Sequence, residues 1–227
     1  MNIDRAQRAG RPLAMALLLL GGWGCQAPEP TAGAAPAPDP RPVEHGAVLL
    51  RGWIGEAGAD LEPVIPTAAA PSVIAGERNP YRLRGFDDRG EVLFDLRFGE
   101  ESLASIAGRP GHHFMLVAPV GAGGSLALAA VELDAAQDRT ASRQARWSAA
   151  ELLDGLRGLR LARRDDGTVH VQWDAQRFEL LQLRDPAGGA ILALDRDGEV
   201  AVTAVGGELE AALSDGVRSA ATLLHIP

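Results

Sequence analysis

The chain has 227 residues, of which 46% are hydrophobic and 23% charged, a balance that supports a buried core and excludes an intrinsically disordered protein. Its formal charge is −8, and without residues 1–24 there remain 19 Arg against 29 acids, so its surface repels nucleic-acid phosphates. Lys is absent, which we read as GC-rich codon usage and not as a phosphate-binding device.

Residues 1–24 read as a secretory signal peptide. Arg5, Arg8 and Arg11 form a positive n-region, Leu13 to Leu20 an apolar h-region, and Gly21 to Gly24 a small-residue exit. Eight apolar residues are far fewer than the roughly 20 that a membrane-spanning helix needs. Cys25 is the sole cysteine, so no intramolecular disulfide can form. Its place after the h-region resembles the lipobox of bacterial lipoproteins; Gly24 matches that pattern, while Gly22 and Trp23 depart from it. The resemblance implies acyl chains on Cys25, membrane anchoring, and, with Gln26 following, outer-membrane residence facing the periplasm or the cell surface. The competing reading is an ordinary signal cut near Ala27 or Ala35 that leaves a spare thiol. Residues 25–43 carry Pro28, Pro30, Pro36, Pro38, Pro40 and Pro42, which exclude regular helix and strand and make a linker. In polyproline II geometry, at ~3.1 Å per residue, it spans roughly 55 Å.

Beyond it, short apolar alternation broken by Gly and Asp predicts an all-β fold of two tandem antiparallel sandwiches, residues 44–137 and 138–227. Predicted strands in the first are residues 47–54, a hairpin pairing 81–86 with 91–98 through the turn Asp87 to Gly90, then 113–118 and 125–133, the last two joined by the glycine run at 121–124. Val92, Phe94, Leu96 and Phe98 are expected on the core face. A polar stretch, residues 134–146, separates the halves. Ser148 followed by Glu151 reads as a capping box opening one short helix. Six strands follow, at 168–173, 178–184, 190–194, 199–203, 208–213 and 219–226, approaching an immunoglobulin-like module.

Gly52-Trp-Ile-Gly55, Leu61-Glu-Pro-Val64, Tyr81-Arg-Leu-Arg84, Gly90-Glu-Val-Leu93 and Phe98 resemble a β-domain found in large secreted bacterial proteins, many of them metallopeptidase-like. In those a fibronectin type III or immunoglobulin-like domain follows, resembled here by Val171-Gln-Trp-Asp174, Leu183-Arg-Asp185 and the run from Leu213 to Ser219. The resemblance implies an accessory sandwich pair. No catalytic residue carries over from it, since no His-Glu-x-x-His occurs in the chain.

Chemistry-bearing residues are sparse. His112 and His113 are adjacent, and neighbours on a strand point to opposite faces, so no metal site is expected. Asp195-Arg-Asp-Gly198 begins like a calcium loop but has Gly206 where the twelfth position needs Glu. No Gly-x-Ser-x-Gly elbow occurs. Trp173 reads as a core residue, whereas Trp53 and Trp147 are the candidate binding aromatics. The expectation is a non-enzymatic envelope protein without cofactor. It acts by binding or structural support, with the membrane and an envelope or secreted protein as partners. The alternatives are a partner or inhibitor of a secreted peptidase, or a hydrolase with a site at the domain junction.

Overall fold

The computed structural model describes residues 41–74, 79–121, 123–135, 139–203 and 206–226. Cys25, the signal segment and the linker up to residue 40 lie outside the described residues. In chain order the strands are β1 (Arg41–Val43), β2 (Ala47–Gly55), β3 (Gly58–Leu61), β4 (Ile65–Thr67), β5 (Tyr81–Phe86), β6 (Val92–Phe98), β7 (Leu103–Ala104), β8 (His112–Pro119), β9 (Ala130–Ala135) and β10 (Arg139–Gln144). After helix α1 (Ala149–Arg157) come β11 (Arg160–Arg163), β12 (Thr168–Gln172), β13 (Leu180–Arg184), β14 (Ile191–Asp195), β15 (Glu199–Thr203), β16 (Glu208–Ser214) and β17 (Ser219–His225). Every pairing among them is antiparallel. The all-β class expected from alternation is therefore the observed one.

In the first half, a sheet ordered β10-β9-β5-β6 faces one ordered β3-β2-β8-β7, with β4 on the flank of β2. Alternate residues of β2 supply Val48, Leu50 and Ile54 to the core, where they join Leu83, Phe94, Phe98, Phe114 and Leu133. At the third position of that alternation stands Gly52, because a Cβ there would run into the Asp60 backbone carbonyl and lie 2.6 Å from the Phe114 ring. Where β10 comes beside β3, Arg139 donates to the Gly55 carbonyl at 2.9 Å and Arg143 to that of Leu61 at 2.7 Å. These arginines satisfy strand-edge carbonyls that a missing ladder would leave open. The 81–86/91–98 hairpin forms with the expected pairing, and Phe94 and Phe98 enter the core. Val92 does not; a register shift between Gly85 and Phe86 turns it out, leaving it 55% exposed.

The second half is a seven-stranded, immunoglobulin-like sandwich in which β11-β12-β15 faces β17-β16-β13-β14. Trp173, at the end of β12, is buried in the core with Val169, Val171, Leu181, Leu183 and Leu213. The capping box forms as read: Ser148 Oγ accepts from the Glu151 amide, and the Glu151 carboxylate accepts from the Ser148 amide at 2.9 Å. The helix then inserts Leu152 and Leu156 into the second core.

Several placements differ from the sequence reading. The stretch 125–133 holds a short 3-10 turn, Gly124–Leu126, before β9 begins at Ala130, and Gly124 lies against the His45 carbonyl where a side chain would clash. The polar stretch 134–146 contains β10, whose partner β9 lies in the first half although β10 follows the expected boundary at 137/138. Its polar, half-exposed Arg139-Thr-Ala-Ser-Arg-Gln144 shows no apolar row. Conversely, β1, expected inside the linker, pairs with β17 and extends the C-terminal sheet. The described residues belong to one compact unit with two hydrophobic cores. Val217, in the β16–β17 turn, is 1% exposed and sits in the first core, so the C-terminal sandwich plugs into its neighbour.

Candidate interaction surface

The junction is built around that turn. Asp215 accepts four backbone hydrogen bonds: from Arg146 N and Trp147 N at 2.7 and 3.0 Å, and from Val217 N and Arg218 N at 3.0 and 2.9 Å. Arg218, buried, donates to the Leu128 carbonyl at 3.1 Å, the Trp147 carbonyl at 2.9 Å and Asp88 at 2.6 Å. Arg143 grips Glu179 with both terminal nitrogens, at 3.1 and 3.4 Å, and Arg146 adds a third contact at 3.4 Å. On the β1 side His45 Nε2 lies 2.9 Å from Glu210, itself 3.8 Å from Arg184, and all three are buried. A cavity of about 100 Å³ lined by residues including Val43, His45, Ser125, Leu153 and Ser219 opens nearby. The charges at this junction thus hold backbone and one another, which is the work of a clamp.

Neither candidate tryptophan presents a bare ring. Trp53 is 8% exposed, donates its indole N–H to the Pro110 carbonyl at 2.9 Å and carries the Arg109 guanidinium on its face at 4.2 Å. Trp147 is half-buried against the second core, donates to the Arg177 carbonyl at 2.6 Å and has the Arg177 guanidinium 5.0 Å from its ring centre. Trp53 and Trp147 sit in different places, the first on β2 in the first sandwich and the second at the junction, so the structure does not bring them together.

The histidines are dispersed. His112 is exposed, 3.3 Å from Ser105 Oγ, while His113 is half-buried and 3.7 Å from Glu62. His170 lies 2.9 Å from Glu199, and its hydrogen bond, with one from Gln172, holds the Glu199 carboxyl below the usual range. Among the described residues no three His, Cys, Asp or Glu side chains converge as metal ligands would. The Asp195 carboxylate accepts from Asp197 N at 2.7 Å, and that of Asp87 from Arg89 N and Glu91 N at 2.8 Å each, so both motifs are turns closed by their first residue.

The exposed apolar surface of the C-terminal sandwich lies on β14. Ile191 is 52%, Leu192 36% and Leu194 39% exposed. The strand ends its sheet and pairs only with β13, opposing Gln182 with Leu194, Leu183 with Ala193 and Arg184 with Ile191. Leu192 is the extra residue of a bulge, and the shift puts Ile191, Leu192 and Leu194 on the same side. The sequence reading placed a strand here without marking it as a surface. The available signal was the unbroken Ile-Leu-Ala-Leu run, which lacks the polar alternation of a strand with one solvated face.

No family model, curated protein or solved structure matches the chain.

Proposed function

We propose that this is an exported, lipid-anchored protein of the bacterial envelope that works by binding or structural support and performs no chemistry. The observation carrying the non-catalytic reading is the closed junction. There Asp215 and Arg218, the convergent charged groups where a hydrolase would have its site, are committed to backbone atoms of both halves. Both oxygens of the Asp215 carboxylate are taken up by four backbone amides, two on each, so neither is aimed at a reacting group. The anchoring reading is supported by order along the chain: basic n-region, apolar h-region, Cys25, proline-rich linker, then the folded body. Several acyl chains, at ~0.8 kcal/mol per buried methylene, hold such a body durably at a membrane. Metabolic labelling with a fatty acid, followed by membrane flotation, tests this. Wild-type chain carries label and floats, and Cys25→Ala carries none and stays soluble. An unlabelled wild-type chain refutes the anchor.

A further inference from the structure

The cavity of about 100 Å³ beside the His45–Glu210 pair lies where three parts of the molecule meet: the segment joining β1 to β2, the 3-10 turn at Gly124–Leu126, and the angle between α1 and β17. Val43, Leu126, Leu153 and Ala220 give it apolar walls. None of its lining side chains is an arginine, and one, the exposed Glu44, is an acid. His45, 5% exposed, supplies the polar end. Its Nε2 lies 2.9 Å from the Glu210 carboxylate, which only accepts, so the ring hydrogen sits on Nε2 and in the neutral ring Nδ1 is left as an acceptor. Among the described residues Nδ1 has no hydrogen-bond partner. The Ser125 hydroxyl donates to the Ser219 carbonyl at 3.2 Å, so it too offers lone pairs, and the Ser219 hydroxyl is buried without a partner. Buried polar groups are normally paired, and a water that met these lone pairs would gain nothing from the aliphatic walls.

We infer that this cavity binds a primary alkylammonium group on a short aliphatic stem, as a lysine side chain or a free aliphatic amine presents it. Acceptors beside one carboxylate select the head: an ammonium carries donors only, whereas a carboxylate or phosphate would meet lone pairs and like charge. Volume selects the stem. A cavity of about 150 Å³ admits benzene, so one of about 100 Å³ admits roughly four or five heavy atoms, which is the size of a lysine side chain beyond Cα. An arginine side chain is too long and too wide. The methylenes pack on Val43, Leu126, Leu153 and Ala220 while the head bonds at His45, the division between stem and charge that lysine makes elsewhere. The chain has no Lys, so the group arrives on another molecule, and the net charge of −8 draws cations toward the surface. The site gives the binding reading proposed above a ligand class and does not depend on the anchor.

Amide NMR of the isotopically labelled full-length protein, titrated with n-butylammonium chloride, tests the site, with n-butanol and sodium butyrate at matched ionic strength as controls. Butylammonium should shift the signals of Gly123, Ser125, Leu153 and Ser219 with a Kd of about a millimolar. Butanol should bind at least about tenfold more weakly, because its head makes no charge-assisted hydrogen bond, and butyrate should not bind. Glu44→Gln, at an exposed position, should weaken butylammonium about two- to fivefold while leaving butanol and the melting temperature unchanged. Leu153→Phe, which fills the cavity from the helix side, should abolish the shifts, and its spectrum reports in the same experiment whether the fold is kept. Nα-acetyl-lysine methylamide binding at least as tightly as butylammonium assigns the group to a partner polypeptide, and weaker binding assigns it to a free amine. No binding, equal affinity for butanol and butylammonium, shifts spread over the acidic surface away from these residues, or an unchanged affinity in Glu44→Gln overturns the proposal. Fatty-acid label on Cys25 is read on the same preparation, so failure of the anchor and failure of the site are distinguishable.

Discussion

Removing the Arg218 side chain should disable the whole body and not only the turn that carries it. Its bonds to the Leu128 and Trp147 carbonyls join the β16–β17 turn to both the first core and the segment leading into α1. Hydrogen bonds from a charged donor to buried acceptors contribute about 1.5–3 kcal/mol each. The third partner, Asp88, has a 74% exposed side chain, so that pair adds at most about 1 kcal/mol. Arg218→Ala is therefore expected to cost roughly 3–7 kcal/mol, a large part of the 5–15 kcal/mol by which such domains are stable. Urea unfolding followed by tryptophan fluorescence suits the question, because Trp53 reports on the first half and Trp147 and Trp173 on the second. Wild type should unfold in one transition, and Arg218→Ala in one transition at lower urea. Arg218→Met, which keeps the aliphatic stem but not the donors, separates packing from hydrogen bonding. A loss below about 1 kcal/mol, or a wild-type profile with two separate transitions, would refute the clamp.

Gly52→Ala should cost about 1–3 kcal/mol, since its methyl group must displace both the Asp60 backbone carbonyl and the Phe114 ring, whereas Gly46→Ala, with nothing within 4 Å, should stay within about 0.5 kcal/mol of wild type. Chemical denaturation of the two variants side by side checks the contrast, and equal losses would show that both the ring and the neighbouring strand give way freely. The Asp95 carboxyl is held below its ordinary range chiefly by the hydrogen bond from Arg82, at 2.8 Å. A depressed folded-state value means that the stabilisation is present above the ordinary value near pH ~4 and disappears as pH falls through the folded value. Asp95→Asn should thus lower stability at neutral pH by a few tenths of a kcal/mol, discounted for solvent exposure, with the gap closing in acid. Melting temperatures of both proteins across that range decide it, and a gap independent of pH contradicts the pairing.

Legibility from sequence followed the strength of the local signal. The hairpin at 81–98, the capped helix and the strands of the second sandwich were readable because period-two alternation, turn residues and the Ser148/Glu151 pair each act over a few residues. The strand β10 was not, because its contribution is made by arginine side chains reaching strand-edge carbonyls and not by an apolar row. Nor was β1, a three-residue strand in a proline-rich setting whose partner lies about 180 residues away in the chain. The junction was hidden for a related reason: Asp215 and Arg218 look like ordinary turn residues until the fold brings residues 88, 128 and 146–147 around them. For the candidate binding aromatics Trp53 and Trp147, no periodicity reveals that Arg109 and Arg177 lie across the rings.

The pairing of β1 with β17 also sets the order in which the molecule is completed. A polypeptide made amino-terminus first displays residues 41–43 early, but the strand they bind spans 219–225, among the last to be made. Until then the margin of the growing sheet stays bare, and Val217 is missing from the first core, so the earlier half waits for the later one. Until those residues arrive, such a chain is an unfinished intermediate with exposed apolar surface, the kind of species on which chaperones act.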